Sequence, residues 1–161
     1  MRKAQAAMEF LMTYGWAILV VLAAIAALAY FGVLSPSKML PQTVTGFTAL
    51  TPLGSPAGDK ASGAIYISLK NNAGSTINIT GGSYSSDACT TGANVYFCDI
   101  GNTSCTDTNK LLENGEEFTV IIHCTALQNV DRDKGDLTIN YIPTSTKIPN
   151  KEQGTVQVKM S

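Results

Sequence analysis

The sequence is poor in charge. Only 14% of its 161 residues are Asp, Glu, Lys or Arg, against about 25% in an ordinary soluble domain. Eleven basic residues face twelve acidic ones. That balance lacks the basic excess of a nucleic-acid footprint, so no nucleic acid is expected as a partner. Histidine occurs once, at His123. Base catalysis needs a nucleophile, a base and an orienting group within reach of one another. One histidine and scattered carboxylates do not assemble such a set, so the chain does not read as an enzyme and no cofactor is expected. Its four cysteines include no Cys-x-x-Cys pair, the spacing that structural zinc favours, so no metal site is expected either.

The shortage of charge is concentrated in one place. From Phe10 to Leu34 no residue is charged. As a helix this run would span roughly 37 Å, enough to cross a hydrocarbon core of about 30 Å. It is longer than the roughly 7–15 apolar residues of a secretory signal peptide. Ser35-Pro36-Ser37-Lys38 reads as its stop, because Pro36 cannot continue the helix and disfavours it at Ser35. Ala23, Ala24, Ala26, Ala27 and Ala29 crowd the second half. Small residues let helices approach closely where lipid supplies no hydrophobic drive. Arg2 and Lys3 precede the run and keep the N-terminus cytoplasmic, which places everything after Leu34 outside. The outer part holds all four cysteines and two glycosylation sequons, Asn78-Ile79-Thr80 and Asn102-Thr103-Ser104.

Glu9 abuts the apolar run. A helix start tolerates an acid there, because the macrodipole favours negative charge. A simple membrane anchor has no need of one.

The stretch Arg2-Lys3-Ala4-Gln5-Ala6-Ala7-Met8-Glu9-Phe10-Leu11-Met12-Thr13-Tyr14-Gly15-Trp16-Ala17-Ile18-Leu19-Val20-Val21 resembles the class III signal peptide of archaeal type IV pilins. In that family a prepilin peptidase removes a short basic leader before a Gln. The mature chain then opens on a Gln-x-Ser-x-Glu pattern that runs into a hydrophobic helix. Gln5 and Glu9 match the pattern, Ala7 replaces its Ser, and Ala4 stands at the cut in place of the commoner Gly. The resemblance covers about residues 2–34. It implies cleavage between Ala4 and Gln5, a membrane stage before assembly, and polymerisation into a helical homo-oligomeric filament by the pilus assembly machinery. Glu9 then becomes an assembly residue. The cut gives Gln5 a new α-amino group, mostly protonated at neutral pH, and Glu9 lies four residues on, along the same helix face.

After Pro36 the periodicity switches from helical to two-residue. Ile65, Ile67 and Leu69 alternate with polar neighbours. So do Ile77 and Ile79; Phe118, Val120, Ile122 and Cys124, where Ile121 is the one apolar neighbour; Leu137, Ile139 and Tyr141; and Val156, Val158 and Met160. Thr43–Leu50 and Val95–Ile100 are weaker candidates. Asn71-Asn72-Ala73-Gly74, Gly81-Gly82, Asn114-Gly115 and Lys134-Gly135-Asp136 read as turns. Residues 51–63 and 144–154 read as loops. About seven short strands, each with one apolar face, predict an antiparallel Ig-like β-sandwich head. The fold class expected is therefore α+β: a leader over 1–4, a hydrophobic helix over 5–35 and an external head over 36–161.

Within the head, four cysteines allow three pairings, and an external setting favours disulfides. The nested arrangement is preferred. Cys98 and Cys105 bracket a span that folds back on itself, and Cys89 with Cys124 ties separate elements together. His123 reads as an ordinary side chain. Asp131-Arg132-Asp133-Lys134-Gly135-Asp136 faintly resembles a calcium loop but lacks the closing Glu, and a polar turn leading into the strand at Leu137 is the better reading. Asn78 falls on the polar face of its strand, where a glycan would project. The reading that results is a surface pilus subunit for adhesion or cell contact, meeting surface ligands through its head. The alternative is a non-polymerised single-span membrane protein whose external sandwich binds or senses.

Overall fold

The computed structural model describes residues 2–30, 41–90 and 92–161. It forms two compact units, Met1–Leu40 and Pro41–Ser161. The described residues of the first form one helix, α1, over Arg2–Tyr30. Ala, Leu, Met and Gln favour helix and no proline interrupts the run. The Thr13 hydroxyl donates back to the Glu9 carbonyl at 2.8 Å, so this polar group is satisfied within the helix. Within α1, Met12–Tyr30 is long and apolar enough to cross a membrane. The expected stop at Ser35-Pro36 lies outside the described residues.

The second unit is all β. Its strands are β1 (Thr43–Thr45), β2 (Leu50–Pro52), β3 (Ala57–Asp59), β4 (Ala64–Asn71), β5 (Ile77–Ser86), β6 (Asn94–Asp99), β7 (Lys110–Leu112), β8 (Glu117–His123), β9 (Arg132–Pro143) and β10 (Asn150–Lys159). One sheet runs β1-β10-β9-β5-β7 and the other β2-β4-β8-β6, with β3 beside β2 on the same flank of β4. Every pairing between these strands is antiparallel. The alternation read from the sequence selects the buried faces. Ile65, Ile67, Leu69, Phe118, Val120, Ile122 and Phe97 of one sheet join Ile77, Ile79, Leu137, Ile139, Val156 and Val158 of the other in a single core. Fully burying each such side chain is worth about 1.5–3 kcal/mol. The architecture is thus α+β, an apolar helix followed by a two-sheet head.

The head has ten strands among the described residues rather than about seven, for local reasons. Four of the strands, β1, β2, β3 and β7, have three residues each, too few to display a period of two. The candidate over Thr43–Leu50 divides into β1 of one sheet and the start of β2 of the other. Gly46, with φ +95°, makes the break. Residues 51–63 contain β3, and the span 144–154 is a loop only to 149, where β10 begins.

Two glycine signals also read differently in three dimensions. Gly81-Gly82 lies inside β5, which passes through it with a register shift between Ile79 and Gly81. A Cβ at Gly82 would come within 2.9 Å of Phe97 and 3.0 Å of Val95. The glycine therefore makes room for buried rings and methyls. Likewise Lys134-Gly135-Asp136 belongs to β9, paired to β10 on one side and β5 on the other. A Cβ at Gly135 would fall 2.5 Å from the Tyr84 ring and 2.6 Å from the Ser85 carbonyl. Gly135→Ala should therefore cost about 1–3 kcal/mol, the usual penalty of forcing an atom into a filled core. A shift of the urea midpoint in the full-length chain measures it, and an unchanged midpoint would show that Tyr84 can move aside.

Candidate functional site

The residues singled out in the N-terminal stretch all fall on α1. Ala4 and Gln5 lie in its first turns and Glu9 one turn further. Glu9 is exposed, as is every described residue of α1 beyond it except Gly15 and Ala17, which are partly covered. Among the described side chains of α1, large apolar ones thus stand in the open from Met8 to Tyr30: Trp16 is 69% exposed and Met12 81%. Phe10 and Tyr14, four residues apart, bring their ring centroids to 4.7 Å. Below them Tyr14, Ala17, Ile18, Val21 and Leu22 line a shallow apolar hollow. Those positions follow the i, i+3, i+4, i+7, i+8 stripe of a helix face. Small Ala17 sits at its middle, and such a hollow receives the ridge of another helix.

The chain matches no protein-family model and no curated protein.

In the head, the structure brings the cysteines together in two pairs. Cys89 is bonded to Cys124 with Cα atoms 6.3 Å apart, and Cys98 to Cys105 at 5.8 Å. The first bond joins the connection after β5 to the residue after β8, so it crosses between the two sheets. Both of its cysteines are buried in the core. The second clasps the loop after β6, where the Phe97 amide donates to the Asp107 carbonyl at 2.8 Å. The two sequons lie at the surface. Asn78 is exposed on β5, between Leu111 of β7 and Ile142 of β9 in the sheet register. Asn102 is exposed in the clasped loop, where its Oδ1 accepts from the Ser104 amide at 3.0 Å.

His123 ends β8, in register with Ala64 and Asn94. The acidic run from Asp131 to Asp136 is not a turn, and its carboxylates diverge. Asp131 takes Lys60 Nζ at 2.6 Å. Asp136 accepts the Thr155 hydroxyl at 2.9 Å. Asp133 points inward and accepts the buried Tyr84 hydroxyl at 2.6 Å. Burial first, and then the Asp133 carboxylate, push the Tyr84 hydroxyl far above the usual tyrosine range. Among the described residues no three His, Cys, Asp or Glu side chains gather as metal ligands would.

Glu152, whose carboxylate accepts four hydrogen bonds, has no signal in the sequence. It lies on β10, inside a span that reads as a loop, and it is 9% exposed. Its Oε1 accepts the Thr48 amide at 2.8 Å, the Ala49 amide at 2.6 Å and the Thr48 hydroxyl, and its Oε2 accepts the Leu50 amide at 3.1 Å. These donors belong to the crossing from β1 to β2, that is, from one sheet to the other. Burial alone would raise the Glu152 pKa. The hydrogen bonds from Thr48, Ala49 and Leu50 outweigh it and hold the carboxyl below the ordinary glutamate range. The same charge, after burial, pushes Tyr141 up.

Because the folded-state pKa is depressed, Glu152 contributes stability that is complete above the unfolded value of about 4.3 and lost as pH falls through the folded one. Glu152→Gln should therefore flatten the acid limb of the stability profile between pH 5 and 2, a window of roughly that width being the usual one for a carboxylate held by hydrogen bonds. Urea titrations at stepped pH would show it. A variant whose acid limb parallels the parent's would contradict the assignment.

Proposed function

We propose that this chain is the structural subunit of an archaeal type IV pilus, cut between Ala4 and Gln5 and polymerised through α1 into a surface filament. The observation that carries the reading is Glu9. It is a carboxylate set against a long uncharged apolar helix, four residues after the Gln of a basic leader. The exposed helix supports it, since a run of apolar side chains must be covered either by lipid or by other helices. Exchange of one cover for the other is the proposed mechanism. The chain first resides in the membrane with Arg2 and Lys3 inside. Removal of the leader takes both charges away and lowers the cost of leaving the bilayer, because charge within hydrocarbon is expensive. Identical helices then bundle by a heterologous contact that does not close, which generates a helix of subunits rather than a ring. The head, stabilised by two disulfides and carrying sequons at Asn78 and Asn102, forms the outer sheath and serves adhesion or cell contact.

The test is mass spectrometry of filaments sheared from the cell surface. The expected result is this chain, beginning at Gln5. Its absence from the filaments, or a surface chain that still begins at Met1, would favour the non-polymerised single-span protein.

A further inference from the structure

Tension carried along the chain from α1 reaches the head through its first strand. Residues 31–42 join the helix to β1, so a pull between α1 and whatever holds the head enters at Thr43. β1 is an edge strand with three paired residues, Thr43↔Gln157, Val44↔Val156 and Thr45↔Thr155. Its partner β10 is far better held. It pairs with β9 over ten residues, and its end is strapped. Met160 N–H donates to the Asp131 carbonyl at 2.9 Å, and Ser161 N–H to that of Gly58 at 3.2 Å. Under load the short strand therefore leaves first.

The geometry of leaving also matters. In an antiparallel pair the start of β1 lies beside the end of β10, so a pull from Thr43 against the C-terminal end opens the ladder one bond at a time. Beyond β1, Gly46 turns the chain and the half-buried Phe47 ring lies on Gly154, whose missing side chain gives it room. The next three residues are held differently. The Thr48, Ala49 and Leu50 amides and the Thr48 hydroxyl converge on the single carboxylate of Glu152. They cannot be opened singly without leaving a buried charge short of partners, which is strongly unfavourable. Behind them Leu50 is fully buried in the core.

We propose that β1 is a peelable tether and that the Glu152 carboxylate is its stop: tension through α1 strips residues 43–47 and halts at the clamp on Thr48–Leu50, leaving the core closed. The freed segment amounts to about 17 Å of chain. A head so joined yields to a moderate tug without unfolding. The device requires α1 to be held in a bilayer or a filament, and nothing more of the function proposed above.

Single-molecule pulling tests it. The full-length chain sits in a surface-tethered lipid nanodisc and is pulled through a tag after Ser161. The parent chain should show a first, reversible low-force lengthening that frees about 17 Å of chain, then a plateau ended by rupture of the head. Glu152→Gln should keep the first event and rupture at clearly lower force, with the plateau shortened or lost. Thr48→Val removes one donor but leaves the carboxylate, and should rupture between the two. This milder variant serves also if Glu152→Gln does not fold. A parent trace without an early release, or variants that rupture at the parent's force, would overturn the proposal. A chain that never polymerises gives the same traces, so failure here leaves the filament reading untouched, and failure of that reading leaves this one standing.

Discussion

On the function proposed above, cells whose copy of this gene carries Glu9→Gln are expected to insert and cleave the chain normally and to bear few or no filaments. The substitution keeps size and hydrogen bonding and removes only the charge. In a helical core both Glu9 and the new α-amino group of Gln5 would leave water, and a buried charge without a partner costs several kcal/mol. Pairing the amine of one subunit with Glu9 of its own chain or of a neighbour removes that cost. Between subunits the pair would also fix the axial register, which apolar faces such as the Tyr14–Leu22 hollow leave free to slide. In the full chain Glu9 lies beyond the first turn of α1; if it merely favoured the start of the helix left after the cut, its loss would cost about 1 kcal/mol in one subunit. A register contact is instead lost at every subunit. Electron microscopy of the cells, with immunoblots for the cleaved form, separates these cases. Filaments of normal number and length would show that the charge is dispensable.

The second large effect concerns the head. Replacing Cys89 and Cys124 together by serine should destabilise it by about 4 kcal/mol, and replacing Cys98 and Cys105 by about 2, in the chain-entropy account of loop closure. The difference follows from the sequence separations, 35 against 7. The first pair also sits in the core between the sheets, so its loss leaves serine hydroxyls where sulfur was buried. For a domain of this size a loss of about 4 kcal/mol lowers the melting temperature by on the order of 15 °C. Near-ultraviolet circular dichroism of the full-length chain in detergent follows the tyrosines of the head through the transition. Equal shifts for the two double variants would show that loop length does not decide the outcome.

Much of this architecture is legible in the sequence because it rests on local patterns. The uncharged run from Phe10 to Leu34 predicts the helix over its described part. The two-residue alternation predicts the centres of β4, β8, β9 and β10, since a half-buried sheet face imposes that period on each strand separately. Glu9 stands out for a similar reason, as a charge at the margin of a segment that has none. What escapes is whatever depends on a distant partner. Gly82 and Gly135 carry the composition of turns, yet they are in strands because Phe97 and Tyr84 occupy the space their side chains would need. Three-residue strands borrow their conformation from longer neighbours. Glu152 looks like one more surface acid, and nothing near it in the chain discloses donors more than a hundred positions earlier.

The place of β10 has a consequence for biosynthesis. It lies between β1 and β9, so the last of the described strands to be translated becomes an inner member of its sheet. The N-terminal helix, long and apolar enough to cross a membrane, is made long before this sheet is complete, and β1 waits unpaired while the rest of the head is translated. Pairing so remote in sequence is slow to form. A message truncated ahead of Asn150 would leave a membrane-held chain with two open strand flanks, on β1 and β9, each a template for the strand of another molecule. Among the described strands β10 thus both closes the flank of β9 and gives β1 its pairing partner.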